Sequence, residues 1–243
     1  MDESIPQAQV YLYLHHNQAY ITLNTSGSSL HQRGRRVDQG EAPIKENLAV
    51  ATLLLASWPF HQALRDPCCG SGTMVIEAAR LAKNIAPGRD RDFAFQYFPS
   101  YSPQLFDQIR AEAIAKEMTK PRTIIGSDID EGILEVAKKN AISAGVDDVV
   151  QFYYHDIFTD TKLPALQGNT TIVSNPPYGQ RLDDPQVDEI HNRLCDLIEQ
   201  DGWNGAVISG YEKADSAFPL TKWKRKETRQ GKERCYIYIP RKL

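Results

Sequence analysis

The sequence predicts an α/β protein built on a doubly wound, mostly parallel sheet that ends in an antiparallel strand pair. Three observations predict it. Short runs rich in β-branched residues alternate with helical stretches from residue 63 to residue 209. A glycine-containing loop, DPCCGSGT (66–73), joins the first of those strands to its helix, the junction at which open α/β sheets bind ligands. The last two strand-like runs, in contrast, are separated only by a short Gly-containing turn, which permits antiparallel pairing.

In chain order, VYLYL (10–14) and AYITLN (19–24) flank the polar HHNQ and read as a β-hairpin. Residues 26–36 are Gly- and Ser-rich and basic, the composition of a linker or ordered loop. APIKENLAVATLLLASW (42–58) reads as a helix with proline in its first turn. A strand over 63–66, the glycine loop and a helix over about 73–84 follow as one unit. Residues 85–120 interrupt the rhythm with aromatics and prolines (FAFQYFPSYSP) and a helical stretch over 105–118. Alternation then resumes: strand 123–127, helix 131–144, strands 149–155 and 170–174, helix 185–200 and strand 205–209. The closing pair covers 223–228 and 235–239.

Composition excludes several classes of function. At 243 residues, 41% hydrophobic and 24% charged, the chain is an ordinary globular protein with room for one large domain or two small ones. No run approaches the roughly 18 apolar residues that span a bilayer, and MDESIPQAQ lacks a basic segment leading into an apolar one, so a cytoplasmic location is expected. The cysteines Cys68, Cys69, Cys195 and Cys235 form no CxxC pair, which argues against a metal site or a disulfide framework. The net charge of −3 gives no global case for nucleic acid, but cations are clustered. Nine Lys or Arg stand against two Glu from Thr221 to Leu243, including Lys222, Lys224, Arg225, Lys226 and Arg229, and Arg33, Arg35 and Arg36 form a second group. Each cluster reads as a phosphate-contacting patch or as a solvated basic face.

The chemistry-bearing residues fall at strand ends. Gly70 and Gly72 allow a sharp turn and close backbone approach, and the helix that follows offers its N-terminal amides to a negative group. Such turns also occur without a ligand. A dinucleotide site would call for a third glycine and an acid about 20 positions later; no third glycine follows, and the strand-end acid arrives only at Asp128, beyond the aromatic insertion. Asp128 ends the next strand, where a carboxylate can accept both hydroxyl hydrogens of a ribose, whereas Asp130 falls at an expected helix N-cap. Asp156, in HDIF, ends the strand after that and suits the amino group of an adenine. The strand over 170–174 then runs into NPPY (175–178), where prolines terminate the ladder but do not explain the flanking Asn and Tyr.

DPCCGSGT, GSDID, HDIF and NPPY, in that order and at strand ends, resemble the motifs of class I S-adenosylmethionine-dependent methyltransferases that modify exocyclic base amines. SGSSLHQRGRR, APIKENLA and NIAPG…RDFAFQYF further resemble a bacterial family of THUMP-containing RNA methyltransferases, some of whose members are labelled N6-adenine DNA methylases. One departure is RGRR, where that family carries an aromatic as in RGYR. The resemblance implies a Rossmann-like methyltransferase domain over 26–243, with S-adenosylmethionine as cofactor and RNA, above all ribosomal RNA, as partner. It implies cofactor contacts from Asp66, Cys68, Gly70, Ser71 and Gly72 at the methionine part, Asp128 and Ile129 at the ribose, and Asp156 and Ile157 at the adenine. Lys45 is implied beside the pocket, and Arg33, Arg35, Arg36, Lys222, Lys224, Arg225, Lys226 and Arg229 at the RNA.

The catalytic group implied is Asn175, Pro176, Pro177 and Tyr178. An exocyclic amine is a poor nucleophile because its lone pair is delocalised, so acceptors that hold its hydrogens must favour a pyramidal nitrogen in line with the methyl donor. The Asn175 side-chain oxygen and the Pro176 carbonyl can each accept one hydrogen, the prolines fix their direction, and Tyr178 offers a stacking face to an extruded base. Guanine N2 in ribosomal RNA is the expected target, as in the 23S guanine-N2 methyltransferase domain of that family. N6-adenine methylation of DNA is the nearest alternative, a non-catalytic cofactor- or RNA-binding module is the second, and a nicotinamide oxidoreductase is disfavoured. The family carries a THUMP RNA-binding region ahead of the catalytic domain. Residues 1–25 are too few for one and are expected to be the hairpin that joined it, in a truncated chain.

Overall fold

The alternation of β-branched strands and helices is realised as a seven-stranded sheet, and a separate hairpin precedes it. The computed structural model describes residues 9–31, 44–119, 123–159, 169–178, 184–200, 202 and 204–241. Contacts divide the chain into two units, Met1–Gly34 with Ile85–Glu117, and Arg35–Asn84 with Met118–Leu243. The aromatic insertion therefore groups with the hairpin.

In the first unit, β1 (Val10–His15) and β2 (Gln18–Leu23) pair antiparallel around His16 and Asn17, both in the left-handed region, the geometry of a two-residue type I′ turn. Every residue of both strands is exposed. The SGSS segment is held by Arg91, whose guanidinium donates to the carbonyls of Ser26 (3.0 Å), Ser28 (2.7 Å) and Ser29 (3.2 Å). One cation thereby accounts for two of the sequence stretches that carried the resemblance. A 3-10 turn at Ala94–Tyr97 leads to α3 (Pro103–Ala115), capped by Ser102 with Pro103 in its first turn, so this helix starts and ends earlier than the expected 105–118. Phe93, Phe95, Tyr101 and Phe106 pack edge-on or tilted at 5.3–6.2 Å between centroids, except Phe93 on Phe95, which is stacked.

The second unit contains α1 (Glu46–Leu55), β3 (Ala63–Asp66), α2 (Thr73–Ala82), β4 (Ile124–Asp128), α4 (Glu131–Ala144) and β5 (Val150–Tyr154). It continues with β6 (Thr170–Ser174), α5 (Asp184–Gln200), β7 (Gly205–Ser209), α6 (Ala214–Ala217), β8 (Trp223–Gln230) and β9 (Glu233–Pro240). The strand order is β5-β4-β3-β6-β7-β9-β8. The first five strands are parallel, β9 runs antiparallel to β7, and β8 pairs antiparallel with β9 around Gly231, at φ 65°. All residues of β6 and β7 are buried, as expected where helices cover both faces of a parallel sheet. The order reverses between β3 and β6, which places the switch point of the sheet at the carboxyl ends of Asp66 and Ser174.

Three helix boundaries differ from expectation for local reasons. α1 begins at Glu46 rather than near residue 42, with Lys45 in extended geometry at its N-cap, and it ends before Ser57, which has φ 55°. Ala42 and Pro43 lie outside the described residues. α2 ends at Ala82 because Asn84 turns to φ 56°. The small α6 was not foreseen, being a single turn with no periodicity to read. Among the described residues no helix is long and apolar enough to cross a membrane, and no group of His, Cys, Asp and Glu could hold a metal ion.

Candidate active site

The glycine loop is fixed by three hydrogen bonds from two elements. Cys69 N donates to Ser127 O on β4 (2.9 Å), Gly70 N donates to Asp128 Oδ2 (2.8 Å), and Asn140 Nδ2 on α4 donates to Ser71 O (3.1 Å). Gly72 occupies the N-cap of α2 at φ 85°, where a Cβ would lie 3.1 Å from Ala137 Cβ and 3.2 Å from the Phe152 ring. Strain and crowding coincide there. Gly72→Ala is accordingly expected to lower stability by about 1–2 kcal/mol, read as a shift in the urea midpoint at unchanged slope. Cys69 is small enough for the tight loop, with its sulfur 3.0 Å from where a Cβ on Gly126 would stand.

The carboxylates at the strand ends are already engaged with the backbone. Asp128 accepts from Gly70 N through one oxygen and from Asp130 N (3.1 Å) through the other, so it braces the loop as well as facing the cavity. Each oxygen keeps a further lone pair for a ligand hydroxyl. Burial raises its pKa above the ordinary carboxylate value, partly offset by the two amide donors. Asp130 caps α4 through Gly132 N and Ile133 N, the role expected of it. Asp156 accepts from Phe158 N (3.0 Å), and the neighbouring Ile157 carbonyl is held by Arg193 Nε on α5 (3.0 Å).

Asp66 differs from the others. It is 1% exposed, and one oxygen accepts both Cys68 N (3.1 Å) and the Ser174 hydroxyl (2.8 Å). Burial pushes its carboxyl up to about 7, and the charge of Asp128 adds to this, against the lowering effect of the two hydrogen bonds. Burial, followed by the charges of Asp66 and Asp128, also raises both Cys68 and Cys69 well above the usual thiol value. Both thiols stay protonated, which removes them as nucleophiles.

These elements enclose a cavity of about 980 Å³. Of the residues singled out from the sequence, Asp66, Cys68, Gly70 and Ser71 line it, as do Asp128, Ile129, Asp156 and Ile157, together with Asn175 and Pro177. Five carboxylates face it (Asp66, Asp128, Asp130, Asp156 and Glu189) with His155, and no Lys or Arg is among the lining residues described. Asn175 Oδ1 is buried with no hydrogen-bond partner among the described residues. Residues not anticipated from the sequence also line it: Ile44 ahead of α1, and Gln186, Glu189 and Ile190 of α5. The last three have the three-four spacing of one helix face, a signal that was legible once α5 was placed beside NPPY.

Several expected site residues stand elsewhere. Lys45 caps α1 and is not in the cavity lining, Gly72 caps α2, and Pro176 is buried. Tyr178 packs toward the β7 and β9 ends: its ring lies 2.8 Å from where a Cβ on Gly210 would stand, and its hydroxyl is 3.6 Å from Cys235 Sγ. Among the expected RNA-facing cations, Lys222 pairs with Glu199 (3.4 Å) and Arg225 with Asp215 while covering the Tyr236 ring at 4.3 Å. Lys224, Lys226 and Arg229 are exposed on β8. Arg33, Arg35 and Arg36 lie outside the described residues.

Comparison with known proteins accords with this geometry. A family model described as RMKL-like, methyltransferase domain matches residues 33–239. The chain is 37% identical over 237 residues to YpsC of Bacillus subtilis, covering 95% of this chain and 60% of that protein. It is 40% identical over 182 residues to the ribosomal RNA large subunit methyltransferase K/L of Vibrio parahaemolyticus, covering 73% of this chain and 26% of that protein. It superposes on the crystal structure of SMU.472 complexed with SAH with a TM-score of 0.81 at 33% identity, over 97% of this chain and 62% of that one. The chain thus spans less than two thirds of the length of each. The matched residues run from before the glycine loop to the last strand, and on that extent the chain belongs to the family of RMKL-like methyltransferase domains.

Proposed function

We propose that the cavity binds S-adenosylmethionine and that the chain transfers its methyl group to an exocyclic base amine in RNA, with guanine N2 of ribosomal RNA as target. The observation that carries this reading is the union in one cavity of an acidic lining and the buried Oδ1 of Asn175, which has no hydrogen-bond partner among the described residues. Among the described lining residues, carboxylates without Lys or Arg favour a ligand bearing positive charge and disfavour the pyrophosphate of a nicotinamide dinucleotide. When bound, the cofactor supplies an electrophilic methyl on a sulfonium. Asp128 and Asp156 suit its ribose and adenine, and Asp66 suits its ammonium group. Asn175 Oδ1 accepts one hydrogen of the target amine and the Pro176 carbonyl the other, keeping the nitrogen lone pair out of the ring π-system. No general base is required, because the nitrogen becomes acidic only after it is alkylated.

The Vibrio relative, named for ribosomal RNA methylation, supports RNA over DNA, and a ribosomal substrate accords with a cytoplasmic location. Incubating the purified chain with labelled cofactor and total RNA, in parallel with DNA, and identifying the labelled nucleoside tests the reading. N2-methylguanosine is the expected product. N6-methyladenine in DNA would support the alternative target, and cofactor binding without transfer to either acid would support a binding module.

The strand β8 supplies the exposed cations for the nucleic acid. Lys224→Ala and Lys226→Ala are each expected to weaken RNA binding uniformly across sequences and to reduce the slope of log K against log salt by roughly 0.7–1, read by fluorescence anisotropy at several salt concentrations. Arg225→Ala is expected to leave that slope nearly unchanged, because its guanidinium is already committed to Asp215 and Tyr236.

A further inference from the structure

Ser174 has no role in the reading above, yet it is 0% exposed and immediately precedes Asn175. Its hydroxyl crosses from the end of β6 to the end of β3 and donates to Asp66 Oδ1 at 2.8 Å. The two strands are direct neighbours at the switch point of the sheet, paired through Arg65 and Ile172. This hydrogen bond therefore joins the acid that opens the cofactor loop to the residue that introduces the acceptor motif. We propose that Ser174 is a positioning residue that couples cofactor occupancy, sensed by Asp66, to the placement of Asn175. The inference rests on the S-adenosylmethionine reading of the cavity.

The physical basis is a carboxyl group whose charge depends on what lies beside it. In its buried setting Asp66 loses its proton only near pH 7. A cationic ligand in the cavity favours the ionised form, so binding expels a proton to solvent. An ionised Asp66 is a stronger acceptor, and the Ser174 hydroxyl bond to it shortens and strengthens. That draws the β6 terminus, and Asn175 with it, into a fixed position when the methyl donor is present. The charged groups on elements around Asp66 are Asp128 at the end of β4 and the buried Glu77 and Arg80 of α2. Its own strand and loop carry Arg65, Cys68 and Cys69, and β6 brings only hydroxyls. Of these, Asp128 is the charge that acts on Asp66. It shifts the midpoint upward and leaves the sign of the response unchanged.

The test is S-adenosylmethionine affinity by calorimetry from pH 5.5 to 9 in buffers of differing ionisation enthalpy, for the wild-type chain, Ser174→Ala and Asp66→Asn. Affinity of the wild type should rise as pH passes through the Asp66 midpoint, with net proton release on binding below it. Ser174→Ala removes a bond that lowers the Asp66 pKa, so its rise should occur at higher pH. Asp66→Asn should bind more weakly and with a flat profile over this range. With total RNA as acceptor and saturating cofactor, Ser174→Ala should lower turnover about tenfold while the KM for RNA holds. Thermal melts without cofactor identify a variant that fails to fold. In that event a carbon-13 NMR titration of the wild-type Asp66 carboxyl, with and without cofactor, decides: a midpoint that drops on binding supports the coupling. A midpoint unmoved by cofactor, or identical binding profiles for the wild type and Ser174→Ala, would overturn the inference while the methyltransferase reading stands. Absence of S-adenosylmethionine binding at every pH would overturn both.

Discussion

Replacing Asn175 by Ala is expected to lower methyl-transfer turnover by about 10²-fold or more while leaving cofactor affinity nearly intact. The asymmetry follows from where the side chain sits. Asn175 Oδ1 is buried with no hydrogen-bond partner among the described residues, as the proposed role of accepting a hydrogen of the acceptor base requires. The contacts expected to hold the cofactor belong to Asp66 and Asp128, at the ends of β3 and β4, and to Asp156, in the loop after β5. Deleting the acceptor restores delocalisation of the amine lone pair and loosens its alignment, both of which act on the transition state. Single-turnover kinetics at saturating cofactor, alongside calorimetry of the cofactor alone, separate the two effects. Turnover equal to the wild type on the identified substrate would count against Asn175 as an acceptor.

Asp128→Ala should produce the opposite pattern, with cofactor affinity weakened about 10²-fold. Two losses combine. The expected ribose contacts disappear, and Gly70 N and Asp130 N lose their acceptors, which releases the loop that must approach the ligand closely. Hydrogen bonds to a charged acceptor are worth about 1.5–3 kcal/mol each, enough to account for that loss in affinity. Asp128→Asn should recover part of it, because one oxygen remains to hold Gly70 N. An affinity unchanged in the Ala variant would remove Asp128 from the cofactor site.

Much of this site was legible in the sequence because strand ends announce themselves: a β-branched run followed by Asp, Gly or Pro both terminates the strand and carries the chemistry. The strands over 63–66, 170–174 and 205–209, and the helix over 131–144, stand where patterning put them. What was not legible depends on contacts between segments far apart in the chain. No local pattern reveals that Ser174 reaches Asp66 across 108 positions, or that Asn140 holds Ser71 across 69. The side on which Tyr178 lies was equally hidden, since its packing against Gly210 and Cys235 is set by how β7 and β9 pair. The basic run 222–229 reads as one patch in sequence, but strand geometry and nearby acids divide it. Arg225 and Lys222 meet Asp215 and Glu199, while Lys224 and Lys226 remain exposed.

The placement of β9 between β7 and β8 also bears on how the protein is made. A ribosome delivers β8 before the strand that must separate it from β7, so until Glu233–Pro240 emerges the nascent sheet ends in β7, whose five residues are all buried in the finished protein. Such an apolar open edge can recruit a strand from another chain. β8 could fill it out of turn only as a mispaired neighbour that β9 must later displace. Emergence of β9 is therefore the step that closes the sheet between β7 and β8, and a pause in translation before it would favour aggregation over folding.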